Sequence, residues 1–132
     1  MNVLVDTPVW SLILRREKPT PNYQSILLEL VQSNRAALIG PIKQELLSGL
    51  RHKEQFEKIR VALNDLPCLT PEDEDYEFAA SFYNLCIAKG IQGSPTDFLL
   101  CAVAVRRDME ILTTDKDFDL YQKHLPIRLL KI

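Results

Sequence analysis

Asp6, Glu45, Asp97 and Asp115 each stand where an apolar run gives way to a helix-start signal. Asp6 ends the run Val3-Leu4-Val5, and Glu45 follows Ala37-Leu38-Ile39-Gly40-Pro41 by four residues. Asp97 lies in Ser94-Pro95-Thr96-Asp97, and Asp115 follows Ile111-Leu112-Thr113-Thr114. In a parallel α/β sheet the carboxyl ends of the strands share one edge, where ligand crevices form. Carboxylates brought there from distant parts of the chain repel one another unless a cation compensates them. Oxygen-only donors suit a hard divalent cation, Mg²⁺ or Mn²⁺. The chemistry such a site offers is metal-assisted hydrolysis.

Each acid also has a plain explanation. Asp97 fits a capping pattern opened by Ser94, Asp115 fits one opened by Thr114, and Asp6 could cap the helix starting at Pro8. Acids favour helix N-termini by about 0.3–1 kcal/mol. Capping accounts for each placement singly but not for their shared position at strand ends. Hydroxyls beside the acids, Thr7, Ser11, Thr96 and Thr114, are placed to orient carboxylates or bound water.

The elements that must position these residues alternate between strand and helix. Residues 2–6 and 36–39 read as short buried strands, 111–113 and 127–130 as two more, and 66–69 as a weak one. Helices are expected from Pro8, capped by Thr7, to about Arg16, ended by Lys18-Pro19-Thr20-Pro21, and from Tyr23 to about Ser33. A helix after Gly40-Pro41 is interrupted at Gly49, and His52–Asn64 resumes with Phe56, Ile59 and Leu63 on one face. Thr70-Pro71-Glu72-Asp73 signals a helix start with a hydroxyl cap, the helix running to about Lys89 with Tyr76, Ala79, Ala80, Tyr83 and Ile87 inward. Ser94-Pro95 opens a very apolar helix expected to pack on a sheet, and a short helix is expected over 115–122. This pattern predicts one α/β domain over residues 1–132 with a mostly parallel central sheet.

Composition narrows the class. The chain has 132 residues, 46% hydrophobic and 26% charged, which suits one folded core rather than disorder. No apolar stretch reaches the ~18 residues of a membrane span, and the N-terminus lacks a signal peptide's pattern, so a cytoplasmic protein without membrane association is expected. Three cysteines, Cys68, Cys86 and Cys101, form no zinc-type spacing. Cys86 and Cys101 read as small core residues. The net charge of −2 does not advertise a nucleic-acid binder, although cation-binding acids bias that balance. Basic residues cluster at Arg15, Arg16 and Lys18, at Arg51, His52 and Lys53, at Lys58 and Arg60, and at Arg106 and Arg107. Each group alone reads as a solvated helix end before it reads as a phosphate patch.

Four segments in order carry a resemblance: Val3-Leu4-Val5-Asp6-Thr7-Pro8-Val9-Trp10-Ser11, Ile42-Lys43-Gln44-Glu45-Leu46-Leu47-Ser48-Gly49, Ser94-Pro95-Thr96-Asp97-Phe98-Leu99-Leu100-Cys101-Ala102, and Leu112-Thr113-Thr114-Asp115-Lys116-Asp117-Phe118. Over essentially its whole length the chain resembles the PIN-domain ribonucleases, and most closely the VapC toxins of toxin–antitoxin pairs. The resemblance implies a PIN-like three-layer α/β sandwich. It implies that Asp6, Glu45, Asp97 and Asp115 surround one or two Mg²⁺ or Mn²⁺ ions, with Asp117 a weaker fifth candidate. Metal ligation falls to Asp6, Asp97 and Asp115, with Asp117, while Glu45 orients the attacking water or binds a second ion. Implied too are an RNA substrate, transfer or ribosomal, cleaved to leave a 5′-phosphate; a homodimer; and a cognate VapB-like antitoxin that blocks the toxin and the resulting arrest of translation. Trp10, Tyr23 and Phe56 are candidates to line the antitoxin groove, with Trp10 better read as core. Arg15, Arg16, Arg51 and Lys53 are candidate RNA contacts.

Other readings are a stand-alone PIN nuclease in RNA processing and a non-catalytic cation- or partner-binding module. A phosphatase with Asp6 as nucleophile needs a second acid two residues on, where this chain has Pro8.

Overall fold

Val3–Val5 (β1) and Ala36–Ile39 (β2) are buried at every residue, as expected of strands covered by helices on both faces. The computed structural model describes residues 2–14 and 21–132. Cys68–Leu69 (β3), Glu110–Leu112 (β4) and Arg128–Leu129 (β5) complete a sheet of order β3-β2-β1-β4-β5. Every pairing in it is parallel, with Val3 opposite Ala36 and Val5 opposite Leu112. β1 is therefore central, and both it and its neighbour β4 deliver their following residues to one edge.

Seven helices fill the intervals: α1 (Thr7–Leu14), α2 (Pro21–Gln32), α3 (Gly40–Leu47), α4 (Lys53–Asn64), α5 (Asp73–Ala88), α6 (Pro95–Arg106) and α7 (Asp117–Gln122). The alternation and the parallel sheet agree with the α/β sandwich expected. α1 begins at Thr7, one residue earlier than the proline signal suggests. Its expected end near Arg16, and the stop at residues 18–20, lie outside the described residues. Trp10 is fully buried and its Nε1 donates to the Val5 carbonyl at 2.9 Å, so it belongs to the core and not to a partner groove. Among the described residues no helix is long and apolar enough to cross a membrane.

α5 departs from expectation at both its start and its face. Its cap is Glu72, in a reciprocal capping box with Asp75, rather than Thr70. Its buried residues are Asp75, Ala79 and Cys86, while Tyr76, Tyr83 and Ile87 are exposed. Small Ala79 and Cys86 are buried beneath α5, Tyr83 packs edge-on against Phe98 of α6 with centroids 5.7 Å apart, and Phe82 packs partly buried against the core. Gly90, with φ of +77°, ends the helix: its N–H reaches the Ile87 carbonyl and the Ile91 N–H reaches that of Cys86. α6 is buried along Phe98–Ala104, as its composition predicts. Cys86 and Cys101 are buried, and burial raises both thiol pKa values, which suits inert core residues.

Candidate active site

Asp6 directly follows central β1, and its backbone N–H extends the ladder to the Leu112 carbonyl at the end of β4. Thr113 follows Leu112 on that neighbouring strand. The parallel register therefore sets Asp6 beside Thr113, 107 residues away in sequence, and the Thr113 hydroxyl donates to Asp6 Oδ2 at 2.8 Å. Thr113 Oγ1 in turn accepts the Asp115 N–H at 3.0 Å. One hydroxyl thus joins the Asp6 carboxylate to the Asp115 backbone. The hydroxyl named from sequence at this turn was Thr114; the one that bonds Asp6 is Thr113, because it continues the strand's pairing with β1.

Thr7 makes a second link. Its N–H donates to Asp6 Oδ1 at 2.9 Å, and its hydroxyl donates to Glu45 Oε2 at 2.6 Å. Glu45 reaches this position from α3, which leaves β2 at Gly40. Asp97 arrives from α6, where Ser94 caps the helix and accepts the Asp97 N–H at 3.1 Å. The capping reading of this segment is correct, and it coexists with an inward carboxylate: Tyr121 donates its phenol hydrogen to Asp97 Oδ2 at 2.8 Å. Asp115 Oδ1 accepts the Asp117 N–H at 2.9 Å, which makes the turn into α7. Thr114 is not the cap of α7, whose cap position is Lys116. Asp117 itself is exposed at the first position of α7.

Burial is graded across the set. Asp6 is 6% exposed, Asp97 and Asp115 are half-buried, and Glu45 is exposed. Burial pushes the Asp6 carboxyl up to about 6; the bonds from Thr113 and Thr7 oppose that rise, and the charges of Asp97 and Asp115 add to it. Burial raises Asp97 as well, against the bonds from Tyr121 and Ser94, with Asp115 again adding to the rise. Burial, then Asp97, drive the Tyr121 phenol far above its ordinary value, so it stays a donor.

Among the described residues, no three carboxylate, imidazole or thiolate groups form a ready-made metal cage. The donor set is oxygen only. Such donors suit Mg²⁺, which keeps several waters and is held by one or two carboxylates plus substrate phosphate. His52 and His124 are exposed and stand outside these segments.

The basic groups sort differently. Arg106 and Arg107 both bind Asp75, with Glu72 and Glu74 alongside, so they anchor α6 to α5 rather than forming a phosphate patch. Arg60 pairs with Glu57. Arg51 and Lys53 are exposed, and Arg15 and Arg16 lie outside the described residues. Tyr121 was not singled out from sequence. A signal was available: Phe118 and Tyr121 share one face of a short helix that begins among acids, and a buried phenol needs a hydrogen-bond partner.

Parallel strands deliver separated carboxylates to one sheet edge of a small α/β fold, with no histidine among them. The chain belongs to the PIN domain family, which it matches over residues 3–123. It is 29% identical over 120 residues to VapC ribonuclease Mb1587 of Mycobacterium bovis, and equally so to ribonuclease VapC11 of Mycobacterium tuberculosis; each match covers 89% of this chain and 90% of the relative. Solved structures share the fold at 18% identity. A chain of the VapBC2 complex of Rickettsia felis, bound to a promoter DNA fragment, superposes with a TM-score of 0.78 over 99% of this chain and 98% of its own. A chain of FitAcB from Neisseria gonorrhoeae does so with a TM-score of 0.79 over 98% and 96%.

Proposed function

We propose that this protein is a VapC-type endoribonuclease that depends on a divalent cation, cuts cellular RNA in the cytoplasm and is neutralised by a cognate antitoxin. What supports this reading is the link of Asp6 to the Asp115 turn through Thr113 and to Glu45 through Thr7, at the carboxyl edge of β1 and β4. The names of the relatives support the ribonuclease, and those of the structural neighbours support the antitoxin partner.

When bound, Mg²⁺ or Mn²⁺ supplies Lewis acidity to the scissile phosphate and to the attacking water. Asp6, Asp97 and Asp115 would hold the ion, with Asp117 at the rim. Thr113 and Thr7 fix the two Asp6 oxygens, so that carboxylate meets its ligand without searching rotamers. Glu45, the most exposed of the four, is placed to orient the attacking water. The products follow as a 5′-phosphate and a 3′-hydroxyl, and transfer or ribosomal RNA is the expected substrate. Purified protein should cleave total RNA with Mg²⁺ or Mn²⁺ and stop on adding EDTA. Undiminished cleavage in excess EDTA would exclude the scheme.

A homodimer would use one face of α5. Among the described residues, nine large apolar side chains are exposed, and three of them, Tyr76, Tyr83 and Ile87, line one face of that helix. α5 carries Asp73 and Glu74 in its first turn and Lys89 at its end. Antiparallel packing on a second copy about a two-fold axis would set acids against Lys89 at both ends and oppose the helix dipoles. Light scattering should give a dimer for the wild type and a monomer for Tyr83→Glu; a monomeric wild type removes this assignment. Co-purification with the product of the adjacent reading frame tests the antitoxin.

A further inference from the structure

Tyr121 is fully buried on α7, the helix whose entry turn is made by Asp115. Its ring packs on Phe98 of α6 and Phe118 of α7, both at 5.0 Å between centroids. Its hydroxyl lies 2.8 Å from Asp97 Oδ2 and 3.4 Å from the Gln92 carbonyl. The shorter bond goes to the carboxylate, the stronger acceptor. Space for the phenol is made by Gly93: a Cβ there would overlap the Tyr121 hydroxyl and meet the Phe98 ring at 2.8 Å.

We propose that Tyr121 is a positioning residue of the carboxylate site, its phenol fixing Asp97 and thereby setting the relation between the α6 and α7 acids, with Gly93 keeping the room it needs. This rests on the nuclease reading. Asp97 sits in the first turn of α6 with its backbone already bound to Ser94, so the remaining freedom is in its side chain. The phenol removes that freedom by holding Oδ2, and it does so from the helix that also begins beside Asp115. Loss of such an outer contact to a metal-holding carboxylate costs typically about 10–100-fold in metal affinity or activity.

The test is Mn²⁺ titration by calorimetry alongside RNA cleavage, on the full chain. Tyr121→Phe keeps the ring and its packing, so its melting temperature should stay near wild type while Mn²⁺ affinity and cleavage each fall about tenfold or more. Phe118→Leu is the packing control: it should lower the melting temperature and leave Mn²⁺ affinity of the folded protein unchanged. Gly93→Ala should lower both stability and affinity, and adding Tyr121→Phe to it should restore part of the stability and none of the affinity. Equal Mn²⁺ affinity for wild type and Tyr121→Phe, or an affinity loss matched by Phe118→Leu, overturns the positioning role while leaving the nuclease intact. A wild type that neither binds Mn²⁺ nor cuts RNA overturns both.

Discussion

Asp6→Asn is expected to lower RNA cleavage by about a thousand-fold while making the cation-free protein more stable. The loss follows from removing the most buried carboxylate of the site: about 4 kcal/mol of charge stabilisation at the phosphate corresponds to about 10³ in rate. The gain follows from the same burial. A carboxyl raised from 3.8 to about 6 costs the folded state about 3 kcal/mol once ionised. The folded pKa exceeds the unfolded one, so the folded state binds more protons between pH ~4 and ~6, and stability falls as pH rises through that window. Above it the full cost is present. Asparagine never ionises, so at pH 7 the variant should unfold about 1–3 kcal/mol less readily, and its stability should be flatter from pH 4 to 6. Mg²⁺ should stabilise the wild type more than Asp6→Asn, because only the wild type has the charge to compensate. Thermal melts across pH, with and without Mg²⁺, read all of this. A variant that cleaves RNA at the wild-type rate removes Asp6 from the site.

Asp75→Ala should do the reverse, lowering stability by about 3 kcal/mol and leaving the chemistry of the folded protein intact. Asp75 is fully buried and accepts four bonds: Arg106 Nη1 at 2.8 Å, Arg107 Nη1 and Nη2 at 3.0 Å each, and the Glu72 N–H at 2.7 Å. Truncation removes half of the α5 capping box and the buried acceptor of two guanidinium groups, leaving them Glu72 and, for Arg106, Glu74. The guanidinium groups are 20% and 24% exposed, so water recovers part of the loss and the low end of the range for a broken buried pair applies. For a chain of this length the melting temperature should drop by about 10 °C. Burial works to raise the Asp75 carboxyl, but bonds from Arg107, Glu72 and Arg106 prevail and hold it at about 2. Its contribution is therefore present above pH ~4 and vanishes as pH falls through about 2, so wild type and variant should converge in acid. A melting temperature for Asp75→Ala equal to that of the wild type at pH 7 would sink this account. Asp75 joins the start of α5 to the end of α6, whereas Asp97 stands at the start of α6, about 15 Å away at 1.5 Å per residue.

Much of this arrangement was legible in the residues. The strand over 36–39 matches residue for residue, because a buried parallel strand needs only an unbroken apolar run between turn signals. The placement of Asp6 and Asp115 after strands was legible for the same reason. The inner face of α5 was legible only at Ala79: its buried stripe is completed by Asp75 and Cys86, and a rule that turns aromatics inward passes over both. An aspartate with no exposed surface gives no local sign, since its two arginines lie more than thirty residues away. Thr113 and Tyr121 escaped notice because their roles depend on partners 107 and 24 residues distant. The segment order foretells that Asp6 and Asp115 follow neighbouring strands, but not that the Thr113 hydroxyl joins them.

The hydrogen bond from Thr113 to Asp6 joins the two ends of the chain, and it has a consequence for synthesis. A nascent polypeptide on the ribosome carries Asp6 and Glu45 long before β4 exists to dock beside β1. Closing so long a loop comes late in folding. A product that stops short of residue 113 lacks the hydroxyl that joins Asp6 to the Asp115 turn.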